Sequence, residues 1–205
     1  MPDTATTAEL KSDPTVLKQF DRETPLSEQI QDLYHILDDN NFCLLNTKRS
    51  GTGPVGRLMG LARRHGPDLL FLANKYSKKI EDIGQESTVQ CCFHDSKSQN
   101  WASVTGIATV HLNDGSDSRV QELYTPTLKA WFGDLGDSIH DGSKSDPRIV
   151  LIEVKASYIV YWKSEVGKIG FAKEVGGAVM KGQVANTGSL REMGKGDVEK
   201  MRTDG

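Results

Sequence analysis

The 205-residue chain predicts a mainly β fold of the α+β kind: a six-stranded antiparallel β-barrel decorated by helices. Three observations carry that expectation. Six short runs are apolar or alternate between apolar and polar, and most are joined by turn clusters. Helical spacing falls between the third and fourth of these runs and between the fifth and sixth. A regular strand–helix alternation is absent, which argues against a doubly wound parallel sheet.

The elements follow in order. Residues 1–22 are polar and aperiodic and read as a disordered tail. Thr24 is placed to cap a helix and Pro25 to fill its first position, where the missing donor costs nothing. Leu26, Ile30, Leu33 and Leu37 then recur at helical spacing, widened by Tyr34 and Ile36. Phe42 to Asn46 is a short strand, and Lys48 to Pro54 a turn cluster. Val55 to Arg63 alternates, with Val55, Arg57, Met59 and Leu61 on one face and Gly56, Leu58, Gly60 and Ala62 on the other. Leu69 to Asn74 is expected to pair back on it as a hairpin across His65-Gly66-Pro67-Asp68. A short helix opens near Ser77. Thr88 to His94 and Trp101 to Leu112 are strands joined at Asp95 to Ser98. Asp114 to Phe132 reads as a helix interrupted by Pro126, and Arg148 to Trp162 as a long last strand. Phe171 to Met180 fits one short amphipathic helix, and Gln183 to Gly205 reads as a disordered tail. The expected organisation is a tail (1–22), one binding domain (23–165) and a partly disordered extension (166–205).

Composition narrows the function. With 37% hydrophobic and 26% charged residues the chain builds one sizeable core. A net charge of −3 gives no bulk attraction to nucleic acid or to an acidic membrane surface. No apolar run approaches the roughly 18 residues of a membrane span. Residues 1–11 lack the apolar core of a secretory signal and the arginines of a transit peptide. Cys43, Cys91 and Cys92 lie in apolar runs without metal spacing and read as small buried hydrophobes of a reducing compartment, the cytoplasm.

One local charge pattern stands out. Lys75, Lys78 and Lys79 crowd the start of the helix near Ser77, and the acids Glu81 and Asp82 come later. A helix N-terminus carries about half a positive charge, so lysines there are unfavourable by a few tenths of a kcal/mol. A phosphate would resolve the conflict, because backbone N–H groups, a serine hydroxyl and ammonium groups would converge on one anion. The alternative is that the lysines are simply solvated. Arg57, in the neighbouring strand, suits the same anion through its planar fork, or it is an exposed strand arginine. Glycines 56 and 60 mark either close approach of a ligand or a bend. Trp101, Trp131 and Trp162 sit near element ends and fit core, dimer contact or ring-binding lip. Catalytic arrangements are thin: the five histidines are scattered without metal spacing, there is no nucleophile elbow, and Gly51-Thr52-Gly53 precedes no helix. Glu81-Asp82 and Asp114 to Asp117 read as helix-surface or capping acids. An anion site without an evident acid, base or nucleophile fits chemistry that belongs to a cofactor.

An ordered set of short segments then resembles a known family. Phe42-Cys-Leu-Leu-Asn-Thr47, Gly56-Arg-Leu-Met59, Leu70-Phe-Leu-Ala-Asn74, Ser77-Lys-Lys79, Trp101-Ala-Ser-Val-Thr-Gly106, Lys129-Ala-Trp-Phe132 and Tyr161-Trp162 are similar in order and spacing to the FMN-binding split-barrel superfamily. Its best-known members are pyridoxamine 5′-phosphate oxidases. The chain most resembles the general stress protein branch, which includes fungal blue-light-inducible proteins. The resemblance implies a six-stranded split barrel of Greek-key type that binds FMN at the interface of a homodimer. It implies that Arg57 reaches the FMN phosphate, with Leu58 and Met59 along the flavin ring and Ala73 and Asn74 beside the ring and ribityl chain. Ser77, Lys78 and Lys79 would clamp the phosphate, and Trp101 would contact the flavin from the second subunit. Trp131 and Trp162 would lie near the same pocket. The chain departs from the oxidases after Trp162: Lys163-Ser-Glu-Val-Gly-Lys-Ile-Gly170 lacks their substrate-holding arginines, and the next arginine is Arg191. The resemblance leaves open a flavin-dependent oxidoreductase of unknown substrate, a pyridoxamine phosphate oxidase or NAD(P)H:flavin reductase, and a non-catalytic flavin binder or sensor. Haem or deazaflavin binding and a purely structural module are further alternatives.

Overall fold

A computed structural model describes residues 20–21, 23–114, 117–166, 168–182 and 184–203. The expected N-terminal tail lies outside these residues except for Phe20 and Asp21, and those two are tied down. Phe20 bridges Leu190 in parallel, and the Asp21 carboxylate accepts from Arg191 Nε at 2.8 Å. The described chain divides into two units by its internal contacts. One, the strand unit, holds residues 41–92, 103–159 and 194–205; the other, the terminal unit, holds the stretches up to Asn40, 93–102 and 160–193.

In the strand unit, β1 (Phe42–Arg49) and β2 (Gly53–Gly60) form a hairpin paired from Phe42↔Gly60 to Arg49↔Gly53. Its turn is closed by Thr52 N–H on Arg49 O at 3.1 Å, and Gly51 and Gly53 take φ of 72° and 99°, where a Cβ would be strained. β3 (Arg63–His65) pairs with β4 (Asp68–Asn74). Then follow α2 (Lys78–Gln85), β5 (Thr88–His94), β6 (Trp101–Leu112), α3 (Arg119–Leu123), a 3₁₀ turn (Pro126–Leu128), α4 (Lys129–Phe132) and β7 (Ile149–Ser164). The strand order is β2-β1-β5-β6-β7-β4-β3, with an eighth strand on β7. Among the described residues no pairing joins the ends β2 and β3, so the sheet is split rather than closed. The mainly antiparallel sheet with flanking helices is the expected class, but it has eight strands rather than six.

Two expectations change here. The run from Val55 to Arg63 breaks at Leu61 and Ala62. β2 pairs along its whole length with β1, and the hairpin partner of β4 is only the three-residue β3. The helix expected over Asp114 to Phe132 is three short pieces. Pro126 lacks a donor and forces Thr125 into extended backbone, φ −122° and ψ 148°.

The core of this unit is built on β7, whose first four residues, Ile149 to Ile152, are all buried. A continuous apolar run is what a strand covered on both faces needs. On one face Leu70, Ile149 and Leu151 pack with Val120 and Leu123 of α3, and Leu128 and Phe132 lean on the same cluster. Each large side chain so buried contributes about 1.5–3 kcal/mol. At Gly106 a Cβ would stand 2.4 Å from the Lys155 carbonyl oxygen, so β6 and β7 approach there as only glycine allows.

The terminal unit holds α1 (Leu26–Asp38), α5 (Lys168–Lys181) and β8 (Gly188–Met193). Pro25, not Thr24, is the cap position of α1 and no side chain caps it; the Thr24 hydroxyl instead donates to Asp21 Oδ2 at 2.5 Å. The segment expected to be a disordered tail forms β8, which pairs with β7, and α6 (Lys195–Thr203), which belongs to the strand unit. Local composition hid this because the partners are distant. In the terminal unit Arg191 ion-pairs with Asp21 and Asp32 and donates to the Tyr161 hydroxyl at 3.2 Å, and Lys163 also binds Asp32. In the strand unit Arg202 holds Asp68 with bonds of 3.0 and 2.7 Å.

Burial pushes the Tyr161 hydroxyl up to about 12. Burial also tends to raise the Asp32 carboxyl, but Lys163 and Arg191 outweigh it and hold it below the ordinary range. Asp21 is held low in the same way by Thr24 and Arg191. Carboxyls depressed by folding contribute stability that is present above their ordinary pKa and is lost as pH falls through the folded value. Arg191→Met is therefore expected to destabilise the protein by about 3 kcal/mol at neutral pH, as read by urea unfolding. The gap to the wild type should shrink on acidification below about pH 4; a gap that does not depend on pH would show that packing, not charge, is what Arg191 supplies.

Candidate functional site

β1 alternates its side chains so that Cys43, Leu45 and Thr47 turn inward and are buried. Leu45 lies opposite Arg57 of β2, which brings the guanidinium to the same inner face. β2 keeps the expected alternation: Val55, Arg57 and Met59 are half-buried, while Gly56, Leu58 and Gly60 are exposed. At Gly56 a Cβ would stand 2.6 Å from the Asn46 amide oxygen, so this glycine makes room for a β1 side chain.

A buried carboxylate collects the cations. Asp82 of α2, only 3% exposed, accepts from Arg49 Nε at 3.0 Å, from Arg57 Nη2 at 3.2 Å and from the Thr47 hydroxyl at 2.7 Å. Arg57 Nη1 donates in turn to Thr47 Oγ1 at 2.7 Å and to Leu45 O at 3.3 Å. The hydrogen bond from Arg49 above all, with Thr47 and Arg57, holds the Asp82 carboxyl below the usual range despite its burial. Asp82 is thus not the helix-surface acid expected from the sequence. The helix face it shares with Lys79 and buried Ile83 is the inner one.

The corner after β4 supplies the remaining groups. Ser77 Oγ donates to Asn74 O at 2.6 Å and accepts from Lys79 Nζ at 3.0 Å. With its hydroxyl so used, Ser77 does not cap α2, and no other side chain does. Asn74 Oδ1 accepts the Tyr76 N–H at 2.9 Å, which fixes the turn. Lys79 is half-buried, and no carboxylate among the described residues pairs with it. Burial and then the charge of Arg57 lower its pKa. Burial and Arg49 likewise lower that of Arg57, against the opposing pull of Asp82. Arg49, Arg57 and Lys79 are three cations around one carboxylate, an excess of two positive charges. A phosphate monoester carries about −1.5 to −2 at neutral pH, so the donor set fits that group.

The structure thus gathers Arg57, Ser77 and Lys79, with Asn74 beneath them, and it sets other expected residues apart. Lys78 is exposed, and Lys75 lies over the Tyr76 ring, 5.0 Å from its centre. Ala73 is buried at the end of β4 and Met59 shares the face of Arg57. Leu58, 66% exposed, points from the opposite face of β2, and Trp131 is 84% exposed. The base of the Trp131 segment is fixed: Arg148, in a buried ion pair with Asp146, donates to Phe132 O at 3.0 Å and to Gly133 O at 2.7 Å. The Arg148 carbonyl accepts the Lys75 N–H at 2.8 Å, which ties the same strut to the corner after β4. Trp101 and Trp162 belong to the terminal unit, where the Trp162 ring lies so close to Gly188 that a Cβ there would be 2.7 Å away. Thr47, Arg49 and Asp82 were missed from the sequence.

Comparison with known proteins settles the family. The model for the family described as pyridoxamine 5′-phosphate oxidase like matches residues 28–186. The chain belongs to this family. A fungal relative, the protein bli-3 of Neurospora crassa, is 37% identical over 205 residues, covering 97% of this chain and 95% of that protein. A general stress protein 26 from Jannaschia shares the fold with a TM-score of 0.60 at 16% identity, covering 83% of this chain and 99% of that one. A general stress family protein from Xanthomonas campestris gives 0.56 at 22% identity, covering 70% and 92%. Among the described residues no helix is long and apolar enough to cross a membrane, and no group of three metal-ligating side chains is found.

For this family member, Asp82 is expected to be what keeps Arg57 in place. Its folded pKa is depressed, so its contribution is present above the ordinary carboxylate range and is lost as pH falls. Asp82→Asn should cost about 3 kcal/mol at neutral pH by urea unfolding, because two arginines lose their shared anion. Near about pH 3 the difference should narrow. A neutral-pH cost within about 0.5 kcal/mol, the range of ordinary surface changes, would show that the carboxylate does not hold the cluster.

Proposed function

We propose that this protein binds FMN, its phosphate held by Arg57, Ser77, Lys79 and the uncapped start of α2. One observation carries the reading: Lys79 is half-buried, bonded to Ser77 Oγ at 3.0 Å, and has the positive Arg57 rather than an acid as its charged neighbour. An inward lysine without a carboxylate is unfavourable in the free protein and becomes favourable when an anion arrives. Met59, Ala73 and Asn74 would line the ring and ribityl chain, while Leu58 faces away from them on the opposite side of β2. Trp131 would contribute from its exposed position, Lys78 from the edge of the corner, and Trp101 from the second subunit. The flavin, when bound, supplies hydride or electron transfer. The residues of this chain would bind and orient it, in a flavin-dependent oxidoreductase of the general stress class whose substrate is unassigned, rather than in a vitamin oxidase. Against vitamin oxidation stands the commitment of the two arginines of the extension: Arg191 to Asp21 and Asp32, Arg202 to Asp68. A flavin-binding sensor is the second reading, favoured because no acid–base pair stands beside the corner among the described residues.

The same reading includes a homodimer in the cytoplasm, neither nucleic acid nor membrane being a partner. Phe42, Leu44 and Leu58 are 58%, 49% and 66% exposed and adjoin one another, since Leu44 pairs with Leu58 and Phe42 with Gly60. A contiguous apolar face of this kind marks an interaction surface, and a second copy of the chain is the occupant proposed.

Two measurements test these statements. Titration of the purified protein with FMN and with riboflavin, followed by flavin fluorescence, should show saturable binding of both. Lys79→Ala should weaken FMN by about 1.5–3 kcal/mol and leave riboflavin nearly unchanged. No saturable flavin binding, or equal losses for the two ligands, refutes the phosphate clamp. In light scattering the wild type should run as a dimer and Leu58→Arg as a folded monomer; a monomeric wild type at micromolar concentration rejects the interface.

A further inference from the structure

The strand unit has a second cleft that the phosphate corner does not use. It encloses about 360 Å³ and is lined by Arg63, His65, Asp68, Leu70, Arg119, Glu122, Leu123 and Glu153. That volume lies in the range of roughly 300–1,000 Å³ usual for small-molecule sites.

Register explains how the cleft arises. Arg63 of β3 pairs with Leu70 of β4, and Leu70 pairs with Glu153 of β7, so the three stand in one row across the sheet. α3 lies over the row, with Leu123 packed in the same cluster as Leu70. The floor is therefore apolar and the two rims are polar, with different charges. On the α3 and β7 side, Glu153 accepts from Arg119 at 3.1 Å and meets His111 at 2.9 Å. Arg119 also holds Asp117 at 2.7 Å. These partners fix the Glu153 carboxylate. Glu122 takes one bond, from the Ser118 hydroxyl at 2.8 Å, and a carboxylate has room for about four. Asp68 is occupied by Arg202. On the β3 side, Arg63 and His65 make no side-chain hydrogen bond or ion pair among the described residues.

The cleft thus offers an unengaged cation and a histidine on one rim, unfilled carboxylate acceptors on the other, and leucines between them. We propose that it binds a small zwitterion with an apolar body, the chemical class of free α-amino acids. The ligand carboxylate would meet Arg63 and His65, its ammonium group Glu122 and Glu153, and its side chain Leu70 and Leu123. A simple anion would leave the acidic rim unanswered, and a simple cation would leave Arg63 so.

The inference is independent of FMN binding, and the test keeps the two apart. L-leucine is the probe, titrated into the full-length protein, with and without FMN, by protein-observed NMR. Saturable shifts at residues of β3, β4 and α3 are expected in the millimolar range. N-acetyl-leucine and leucinamide, which each lack one of the two charges, should bind at least about tenfold more weakly, since each loses a charge-assisted bond. Arg63→Ala and, separately, Glu122→Gln should weaken leucine by about tenfold while FMN titrates as in the wild type. Both residues are on the surface, and unchanged spectra elsewhere would show that the variants are folded. Absence of saturation by leucine, binding of either singly charged analogue as tight as that of leucine, or full binding by Arg63→Ala or Glu122→Gln overturns the proposal.

Discussion

The cationic corner after β4 rests on the shared carboxylate of Asp82. Two arginines from neighbouring strands and a threonine hydroxyl are held on a helix by that one group, at distances of 2.7–3.2 Å. Without it Arg49 and Arg57 would repel each other at the edge of an apolar core, and α2 would lose its polar anchor to β1. A buried ion cluster of this kind adds little to net stability, because desolvation offsets most of the attraction. Its effect is to fix where the guanidinium of Arg57 points. The excess charge left over is the property available to a ligand.

Much of the fold was legible in the chain. β5 and β6 have the bounds read from the sequence, because the alternation of β5 is clean and Asp95 closes the turn between them through the N–H groups of Lys97 and Ser98. The site was half legible. Ser77 and Lys79 stand out through the reversed charges at a helix start, an effect confined to neighbouring residues, whereas Arg57 is expected beside them through a strand pairing that the structure replaces with β1. Thr47, Arg49 and Asp82 were hidden because their roles depend on the register of β1 with β2 and on which face of α2 turns inward. A signal did exist: Asp82 follows Lys79 by three residues and adjoins the apolar Ile83, which puts all three on one helical face.

The C-terminal segment fails differently. Its apolar residues are few, yet Met193, Val198 and Met201 are all buried. What orders it is a set of ion pairs between residues far apart in the chain, Arg191 with Asp21 and Asp32 and Arg202 with Asp68. Compositional reasoning treats such stretches as solvated because it counts charges without their partners.

The lowered proton affinity of Lys79 would make binding of an anion at the corner an acid–base event. In the free protein, burial and the neighbouring Arg57 favour release of its proton. A bound dianion reverses the local field and favours the ammonium form. Linkage then requires that, in alkaline solution, occupancy draws protons from the solvent and affinity declines as protons become scarce. On the alkaline side, affinity for a phosphate-bearing ligand would fall as pH rises, whereas a ligand that differs only in lacking that phosphate would not share this dependence.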